Sequence, residues 1–141
     1  MSNICAGIGR GQMTILKEHI AHHKHIHDLY EKAFRDIDGI TLLTNPDERF
    51  NSNYWLCNIL IDPDKTGFNY EDLRLALEEA NVESRPLWKP MHKQPVYKDA
   101  PAYVNGVSEE LFKKGLCLPS GPCVSEDDVR YIVKCIVENI I

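Results

Sequence analysis

A proline-rich loop carries the residues of this sequence that are best suited to bind an anion. Between Glu83 and Pro95 the chain reads ESRPLWKPMHKQP, and its prolines exclude a helix interior or a central strand. Arginine and lysine bind carboxylates and phosphates, and an aromatic face can lie beside them. The candidate binding residues are Arg85, Trp88, Lys89 and His92. The alternative is an ordinary surface loop that Trp88 anchors in the core.

A second cluster consists of histidines in a segment with helical periodicity, at positions 19, 22, 23, 25 and 27. His19 and His23, and likewise His23 and His27, are four residues apart and could approach one metal ion from a helix. A catalytic zinc helix usually has a glutamate between its histidines, whereas Lys24 places a positive charge in this cluster. We favour a solvated helix face and assign no metal ligand, with a metal site as the alternative.

The glycines and cysteines offer weaker signals. Gly7, Gly9 and Gly11 resemble a phosphate-binding loop, but Gln12 stands where that loop needs its third glycine and no strand precedes it. We therefore expect close-packing glycines in a helix. The five cysteines contain no Cys-x-x-Cys pair, which indicates neither a disulfide framework nor a zinc site. They are expected to be small core residues in a reducing compartment, not nucleophiles.

Composition narrows the class of protein. A chain of 141 residues with 43% hydrophobic and 26% charged residues is typical of one globular domain. The net charge is -5 and the basic residues are scattered, which argues against a nucleic-acid partner. No apolar run approaches the roughly 18–20 residues that cross a bilayer, and the first residues lack the basic end of a signal peptide. The expected location is cytoplasmic, with no membrane partner.

The first third of the chain predicts one long helix. Apolar residues recur at helical spacing from Asn3 to about Asp36, and Gly39 is expected to end the helix. Such a helix would be roughly 50 Å long, whereas a globule of this size is about 37 Å across. We therefore expect its small, apolar tip, residues 4–11, to project and to pack against another domain or subunit.

The remaining residues predict an α+β domain with helices on one face of a small sheet. The organisation expected is a long helix over residues 1–38 and a small domain over residues 39–141. Its elements are a strand from Ile40 to Leu43, an exposed connection over Thr44 to Asn53, a strand from Tyr54 to Ile61, a helix capped by Asn69 and ending near Ala80, a short strand from Val82 to Ser84, a helix capped by Ser108 and ending at Lys114, a strand from Leu116 to Leu118, and a helix from Glu126 to about Asn139. Ser125 with Asp128 is expected to begin that last helix.

Three blocks of the sequence resemble one enzyme family. They are the loop block SRPLWKPMH from Ser84 to His92, the opening MSNI before a small-residue helix, and GLCLPS from Gly115 to Ser120 before the last helix. In this order they are similar to the C-terminal part of the DegT/DnrJ/EryC1/StrS aminotransferases, which use pyridoxal phosphate to aminate nucleotide-linked keto-sugars.

The resemblance implies the small domain of a fold-type-I aminotransferase, with a mostly antiparallel sheet and a long helix that links it to a large domain. That large domain, absent here, would carry the lysine that binds the cofactor covalently. The chain alone is therefore expected to be inactive and to bind no pyridoxal phosphate. Matching positions that would border the substrate entrance are Arg85, Trp88, Lys89, His92 and Tyr97; their role would be substrate positioning, and no catalytic or cofactor-binding residue is assigned.

For the full-length enzyme, the resemblance implies transfer of an amino group from glutamate to a nucleotide-linked keto-sugar in polysaccharide or glycan biosynthesis, by a cytoplasmic homodimer. A different hypothesis remains open from the residues themselves. The small, apolar face over residues 4–11 also suits a non-catalytic binding module in which two copies of the chain pair.

Overall fold

The computed structural model describes residues 2–138, and within them it has six α-helices, four β-strands and two short 3-10 turns. The helices are α1 Asn3–Thr14, α2 Leu16–Phe34, α3 Pro63–Thr66, α4 Tyr70–Glu79, α5 Val107–Lys114 and α6 Glu126–Glu138. The strands are β1 Ile40–Leu42, β2 Cys57–Ile61, β3 Arg85–Pro86 and β4 Gly115–Leu118, and the turns span Met91–Lys93 and Pro95–Tyr97.

The four strands form one antiparallel sheet in the order β1-β2-β4-β3. Its register places Ile59 opposite Leu116 and Arg85 opposite Cys117. The strand β3 lies at an edge and has only two residues, which is where a proline such as Pro86 is tolerated, because an edge strand leaves one side unpaired. The predicted α+β class is confirmed, with a sheet that is entirely antiparallel.

The core lies on one face of this sheet. Alternate residues of β2 are buried, and helices α2, α4 and α6 pack over that face because each has an apolar stripe at helical spacing. The core residues with the largest fully buried side chains are Tyr30, Ile26, Ile59, Ile61, Leu73, Leu77, Leu116, Leu118 and Ile136. The short helix α5 lies against the strands at Gly115, where a Cβ would overlap the side chain of Leu87 and approach the carbonyl oxygen of Leu111 to 2.8 Å.

The prediction of one unbroken N-terminal helix is wrong. The helix is interrupted at Ile15, whose φ of -116° and ψ of 11° are not helical, and whose N–H reaches back to Gln12. Just before it, the hydroxyl of Thr14 donates a hydrogen bond of 2.7 Å to the carbonyl oxygen of Gly11, and such back-bonding bends helices that glycines already weaken. The second helix ends at Phe34, before Gly39, which instead has a φ of 84° in the turn before β1.

The tip of this N-terminal segment projects as expected. No residue of α1 is buried, and Ile4, Ile8 and Met13 are among the exposed large apolar side chains.

Some helix boundaries lie at the predicted capping residues. Asn69 and Asp72 form a reciprocal capping box at the start of α4.

The predicted bounds of β3 and the predicted start of α5 differ from the structure, and the predicted end of α6 cannot be compared with it. The short strand expected at Val82–Ser84 is found at Arg85–Pro86, because pairing with β4 decides which residues are strand. Ser108 lies inside α5 and does not cap it; the N-cap is Gly106, and Asn105 accepts the N–H of Val107. The predicted end of the last helix near Asn139 lies outside the described residues.

Among residues 2–138, no helix combines the length and the apolar character that a membrane-spanning helix needs.

Candidate functional site

An open groove of about 1460 Å³ lies between the β3 edge of the sheet and the start of α6. One wall comes from residues 80–88, which leave α4 and form the edge strand. The other comes from residues 117–124 and the first turns of α6, with Trp55 and Leu56 contributing from the segment before β2. With His23 of α2, four separate stretches of the chain therefore meet here, and the pairing of β4 with β2 and with β3 holds three of them together.

Two of the predicted binding residues line this groove, Arg85 and Trp88. The guanidinium of Arg85 is exposed and pairs with the carboxylate of Glu83. Trp88 is 66% exposed, so the alternative in which it anchors the loop in the core is wrong. An exposed indole beside a guanidinium leaves an aromatic face and a cation available to a ligand.

The other three predicted residues lie outside the groove lining. Lys89 is exposed, and its carbonyl oxygen accepts a hydrogen bond of 3.3 Å from the side-chain amide of Gln94. Tyr97 is 41% exposed. His92 is mostly covered, and its Nε2 lies 2.9 Å from a carboxylate oxygen of Glu109 on α5. The structure thus places the five residues along one loop, with only the first two facing the groove.

The carboxylate of Glu109 has a second partner in the same loop. Its other oxygen lies 2.9 Å from Nζ of Lys93. The hydrogen bonds from His92 and then Lys93 lower the pKa of Glu109 below its ordinary value of 4.5, so the group is ionised at neutral pH. Glu109 was not predicted from the sequence, because it is 17 residues from His92 and no periodic pattern relates the two residues.

The other groove residues were not predicted as binding residues. They include Trp55, Ser120 and also His23, which the sequence singled out only as a possible metal ligand. Trp55 was expected inside a central strand, yet it lies before β2 and is 66% exposed. Ser120 is buried and connects two chain segments of the same wall, since its hydroxyl donates to the carbonyl oxygen of Trp55 at 3.1 Å and accepts from the N–H of Cys57 at 3.3 Å. The only sequence signal for Ser120 was its place in the GLCLPS block.

The histidines do not form the solvated helix face that was predicted. His23 and His27 are buried, at 8% and 2% exposure. His27 stacks on the ring of Tyr54 with centroids 3.6 Å apart, and its Nε2 donates to the carbonyl oxygen of Leu43 at 3.2 Å. His25 is exposed and lies 2.8 Å from a carboxylate oxygen of Glu126. Most of this face therefore packs α2 against the connection before β2 and against α6.

The structure does not bring together the ligands of the metal site that was the alternative for the two histidine pairs. In the described part of the chain, the one group of three possible metal ligands within 4.8 Å of one another is His27, Asp28 and Glu31. It contains a single histidine and two exposed carboxylates, and neither histidine pair singled out in the sequence has a third ligand. Exposed carboxylates of this kind are common on helices without a metal ion.

The cysteines have the character expected of core residues at three positions. Cys57, Cys117 and Cys135 are buried, and none of the five cysteines, all of which lie within the described residues, forms a disulfide. Burial raises the pKa of the Cys57 thiol to about 12 and also raises the pKa of Cys117. A thiol that stays protonated at neutral pH is a poor nucleophile, so neither strand cysteine is suited to covalent catalysis.

The burial and position of the lysines determine whether this chain alone can hold a cofactor such as pyridoxal phosphate covalently. All ten lysines lie within the described residues, none is buried, and none lines the groove. The most covered, Lys24, has its Nζ 2.7 Å from the side-chain oxygen of Asn51. A lysine that binds a carbonyl cofactor needs a desolvated pocket to lower its pKa. The residues present therefore do not build that site by themselves.

The sequence matches a family profile over residues 1–137, that of the DegT/DnrJ/EryC1/StrS aminotransferase family. Among curated relatives, it is 36% identical to EpsN of Bacillus subtilis (strain 168), whose description as a pyridoxal phosphate-dependent aminotransferase is provisional. That alignment covers 95% of this chain and 34% of EpsN. The GDP-perosamine synthase of Escherichia coli O157:H7 is 31% identical, over 98% of this chain and 36% of the enzyme.

Solved structures share the fold. DesI, crystallised in the presence of its TDP-sugar product, superposes with a TM-score of 0.90 at 23% identity, over 99% of this chain and 36% of DesI. The aminotransferase TlmJ from Streptoalloteichus hindustanus superposes with a TM-score of 0.84 at 19% identity, over 96% of this chain and 35% of TlmJ. At these identities the likeness shows the fold alone.

This chain spans about a third of the length of the curated relatives that it matches. The profile match extends over nearly all of the described residues, and the two relatives are more than 30% identical across it. The chain belongs to the DegT/DnrJ/EryC1/StrS aminotransferase family.

Proposed function

We propose that this chain is the C-terminal small domain of a pyridoxal phosphate-dependent aminotransferase that aminates a nucleotide-linked keto-sugar. The observation that carries the proposal is the family match over residues 1–137 together with relatives three times as long. The amino donor in the proposal is glutamate, and the pathway is polysaccharide or glycan biosynthesis. The named product of the E. coli relative, GDP-perosamine, supports a nucleotide-linked sugar as the acceptor.

The contribution of this chain to the reaction is binding and orientation. The side chains proposed to border the substrate entrance are Arg85, Trp88, Lys89, His92 and Tyr97. The exposed guanidinium of Arg85 suits a diphosphate or a donor carboxylate, because its planar fork of donors matches such oxygens. The exposed indole of Trp88 offers an apolar face next to it.

Cofactor chemistry is proposed for the full-length enzyme and not for this chain. Pyridoxal phosphate, when bound there, would supply the carbonyl chemistry by which an amino group can pass from the donor to the keto-sugar. None of the lysines described here is placed for that bond, so the proposal assigns no proton-transfer step to this chain. The isolated chain is accordingly proposed to be inactive.

Homodimer formation and a cytoplasmic location complete the proposal. The apolar surface of α1, which includes Ile4 and Ile8, supports a contact with a large domain or with a second subunit. Five cysteines that form no disulfide support a reducing compartment.

The decisive experiment joins this chain to a complementary large domain. In the chimera, the matching third of the E. coli GDP-perosamine synthase is replaced by this chain, and GDP-perosamine formation is measured. Because the rest of the relative supplies the cofactor lysine, activity would show that this chain performs the role of the small domain. A folded, cofactor-loaded chimera without activity would contradict the proposal.

The same chimera tests the binding residues. Replacing Arg85 and His92 by alanine is expected to raise the KM of the nucleotide-sugar about tenfold or more, since charged hydrogen bonds are each worth roughly 1.5–3 kcal/mol. Phe50, another exposed side chain on the same domain, provides a control when changed to alanine. Unchanged KM values in the Arg85 and His92 variants would remove the positioning role.

A second candidate function has one observation in its favour. A non-catalytic module that pairs with a second copy of itself would use the exposed apolar face of α1. An inactive chimera together with a stable dimer of the isolated chain would favour this module over the aminotransferase domain.

A further inference from the structure

We propose that Glu109 is a positioning residue that holds the entrance loop, residues 85–97, in the shape needed to present His92 and its neighbours to substrate. The substrate consequence rests on the proposed function. The positioning role itself stands on contacts between α5 and this loop, and it can be tested on the chain alone.

The carboxylate of Glu109 is shared between two side chains of the loop. Oε1 lies 2.9 Å from Nε2 of His92, and Oε2 lies 2.9 Å from Nζ of Lys93. The side chains of His92 and Glu109 are only 20% and 24% exposed. Hydrogen bonds to an ionised group are about twice as strong as neutral ones, and partial burial limits competition from water. The two contacts together therefore constrain the loop more than a surface ion pair would.

The entrance loop is attached at two places, to helix α5 and to the sheet. Glu109 belongs to the first turn of α5, where its N–H donates to the carbonyl oxygen of Gly106 at 3.1 Å. At the other end, the loop leaves the sheet at Leu87, whose N–H donates to the carbonyl oxygen of Gly115 at 3.3 Å. The loop is thus fixed to the sheet at Leu87 and to α5 at His92 and Lys93. Trp88 and Lys89 lie between these two attachments.

The hydrogen bond also fixes the proton arrangement of His92. A carboxylate oxygen only accepts, and so Nε2 of His92 must carry the proton that faces Glu109. This leaves Nδ1 to interact with another group. Loss of Glu109 would free the ring to rotate and would release Lys93 at the same time.

The next residue provides a matched comparison. Glu110 is exposed, and its carboxylate pairs at 3.0 Å with Lys113 within the same helix. Within the described residues, its carboxylate makes no hydrogen bond or ion pair with the entrance loop. Glu110→Gln removes one negative charge from α5, as Glu109→Gln does, but it leaves the contacts between Glu109 and the loop in place.

Limited trypsin digestion of the 141-residue chain measures how ordered the loop is. The bonds after Arg85 and Lys89 precede proline and resist trypsin, so cleavage within and just after the loop reports on Lys93 and Lys98. Glu109→Gln is expected to be cut at these sites about tenfold faster than the wild type, as loss of a charged hydrogen-bond pair implies. Glu110→Gln is expected to be cut at the wild-type rate.

Circular dichroism verifies that both variants keep the fold. Glu109→Gln also releases the side chain of Lys93, which by itself makes cleavage after Lys93 easier. His92→Asn leaves the ion pair of Glu109 with Lys93 in place and should still loosen the loop, so it supplies an independent readout. Equal cleavage rates in Glu109→Gln and Glu110→Gln would overturn the positioning role, whether or not any enzyme activity is found.

The enzyme arm uses the chimera and separates the two proposals. Glu109→Gln is expected to raise the KM of the nucleotide-sugar several-fold while kcat changes less, and Glu109→Asp should recover part of the loss. An active wild-type chimera whose KM is unaffected by Glu109→Gln would overturn the substrate consequence. An inactive wild-type chimera combined with faster cleavage of Glu109→Gln would refute the proposed function and support the positioning role.

Discussion

The hydroxyl of Tyr30 donates a hydrogen bond of 2.9 Å to the carbonyl oxygen of Pro119, 89 positions further along the chain. Tyr30 is fully buried in α2, and burial raises the pKa of its hydroxyl. Pro119 is followed by the groove residue Ser120, whose hydroxyl bonds to the backbone of Trp55 and Cys57. The helix that follows the projecting α1 is therefore connected through the core to the groove.

Replacing Tyr30 by phenylalanine should lower the free energy of unfolding by about 1–2 kcal/mol, because the carbonyl of Pro119 loses its donor where water has little access. The matched control is Tyr131→Phe. Tyr131 makes a similar hydrogen bond of 3.1 Å to the carbonyl oxygen of Ala80, but it is 50% exposed, and water can replace it. Its loss should stay within about 0.5 kcal/mol. Urea unfolding measures both, and equal losses would contradict the explanation.

Two glycines with the same backbone conformation should respond differently to alanine. Gly39 and Gly67 have φ of 84° and 78°, so each alanine costs about 1–2 kcal/mol for the left-handed conformation. At Gly39 the new Cβ would also lie 2.7 Å from Cγ2 of Thr66 and 2.9 Å from Cβ of Lys65, whereas at Gly67 it would meet nothing within 4 Å.

Gly39→Ala should therefore destabilise the chain by a further 1–3 kcal/mol or so relative to Gly67→Ala, since overpacking forces the neighbours to move. Thermal or urea unfolding of the pair tests this directly. A Gly39→Ala variant as stable as Gly67→Ala would mean that the turn before β1 and helix α3 separate easily.

The parts of the fold that depend on local chemistry could be predicted from the sequence. Asn69 with Asp72 satisfies helix donors within one turn, and Ser125 with Asp128 does so at α6. Such capping needs no information from the rest of the chain. Ser108 was predicted by the same rule and is wrong, because Gly106, in a left-handed conformation, caps α5 two residues earlier.

The parts that depend on distant residues could not be predicted in this way. The position of β3 follows from the pairing of Arg85 with Cys117, and no property of residues 82–84 reveals it. In the candidate site, Arg85 and Trp88 belong to one loop, so the sequence alone predicted them together as binding residues. Trp55 joins them only through the tertiary fold.

Acid should remove a defined contribution to stability at the start of α6. Hydrogen bonds from the side chain and then the backbone of Ser125 lower the pKa of Asp128 below its ordinary value of 3.8. A carboxyl group whose folded pKa is lowered stabilises the protein above its unfolded pKa, and this stability is lost as pH falls through the folded pKa. The stabilisation should thus be complete near neutral pH and decline below about pH 4.

The variant Asp128→Asn isolates this contribution because the amide does not titrate. The wild type should be more stable than the variant at pH 6, and the difference should shrink as pH falls below about 4. Unfolding free energies of both proteins across this range give the comparison. A difference that stays constant with pH would show that the charge of Asp128 does not contribute.

The exposed surface of α1 should control association of the isolated chain. Ile4 and Ile8 are 76% and 61% exposed, and Gly7, between them, has no side-chain neighbour within 4 Å of a Cβ position. Such a surface tends to be covered by another protein surface. The chain should therefore dimerise or oligomerise as its concentration rises, and Ile8→Glu should shift it towards the monomer because a carboxylate resists burial. Arg10→Glu, also on α1, controls for the change of charge. Sedimentation velocity over a range of concentrations measures the association, and a wild type that stays monomeric throughout would show that this surface needs a different partner.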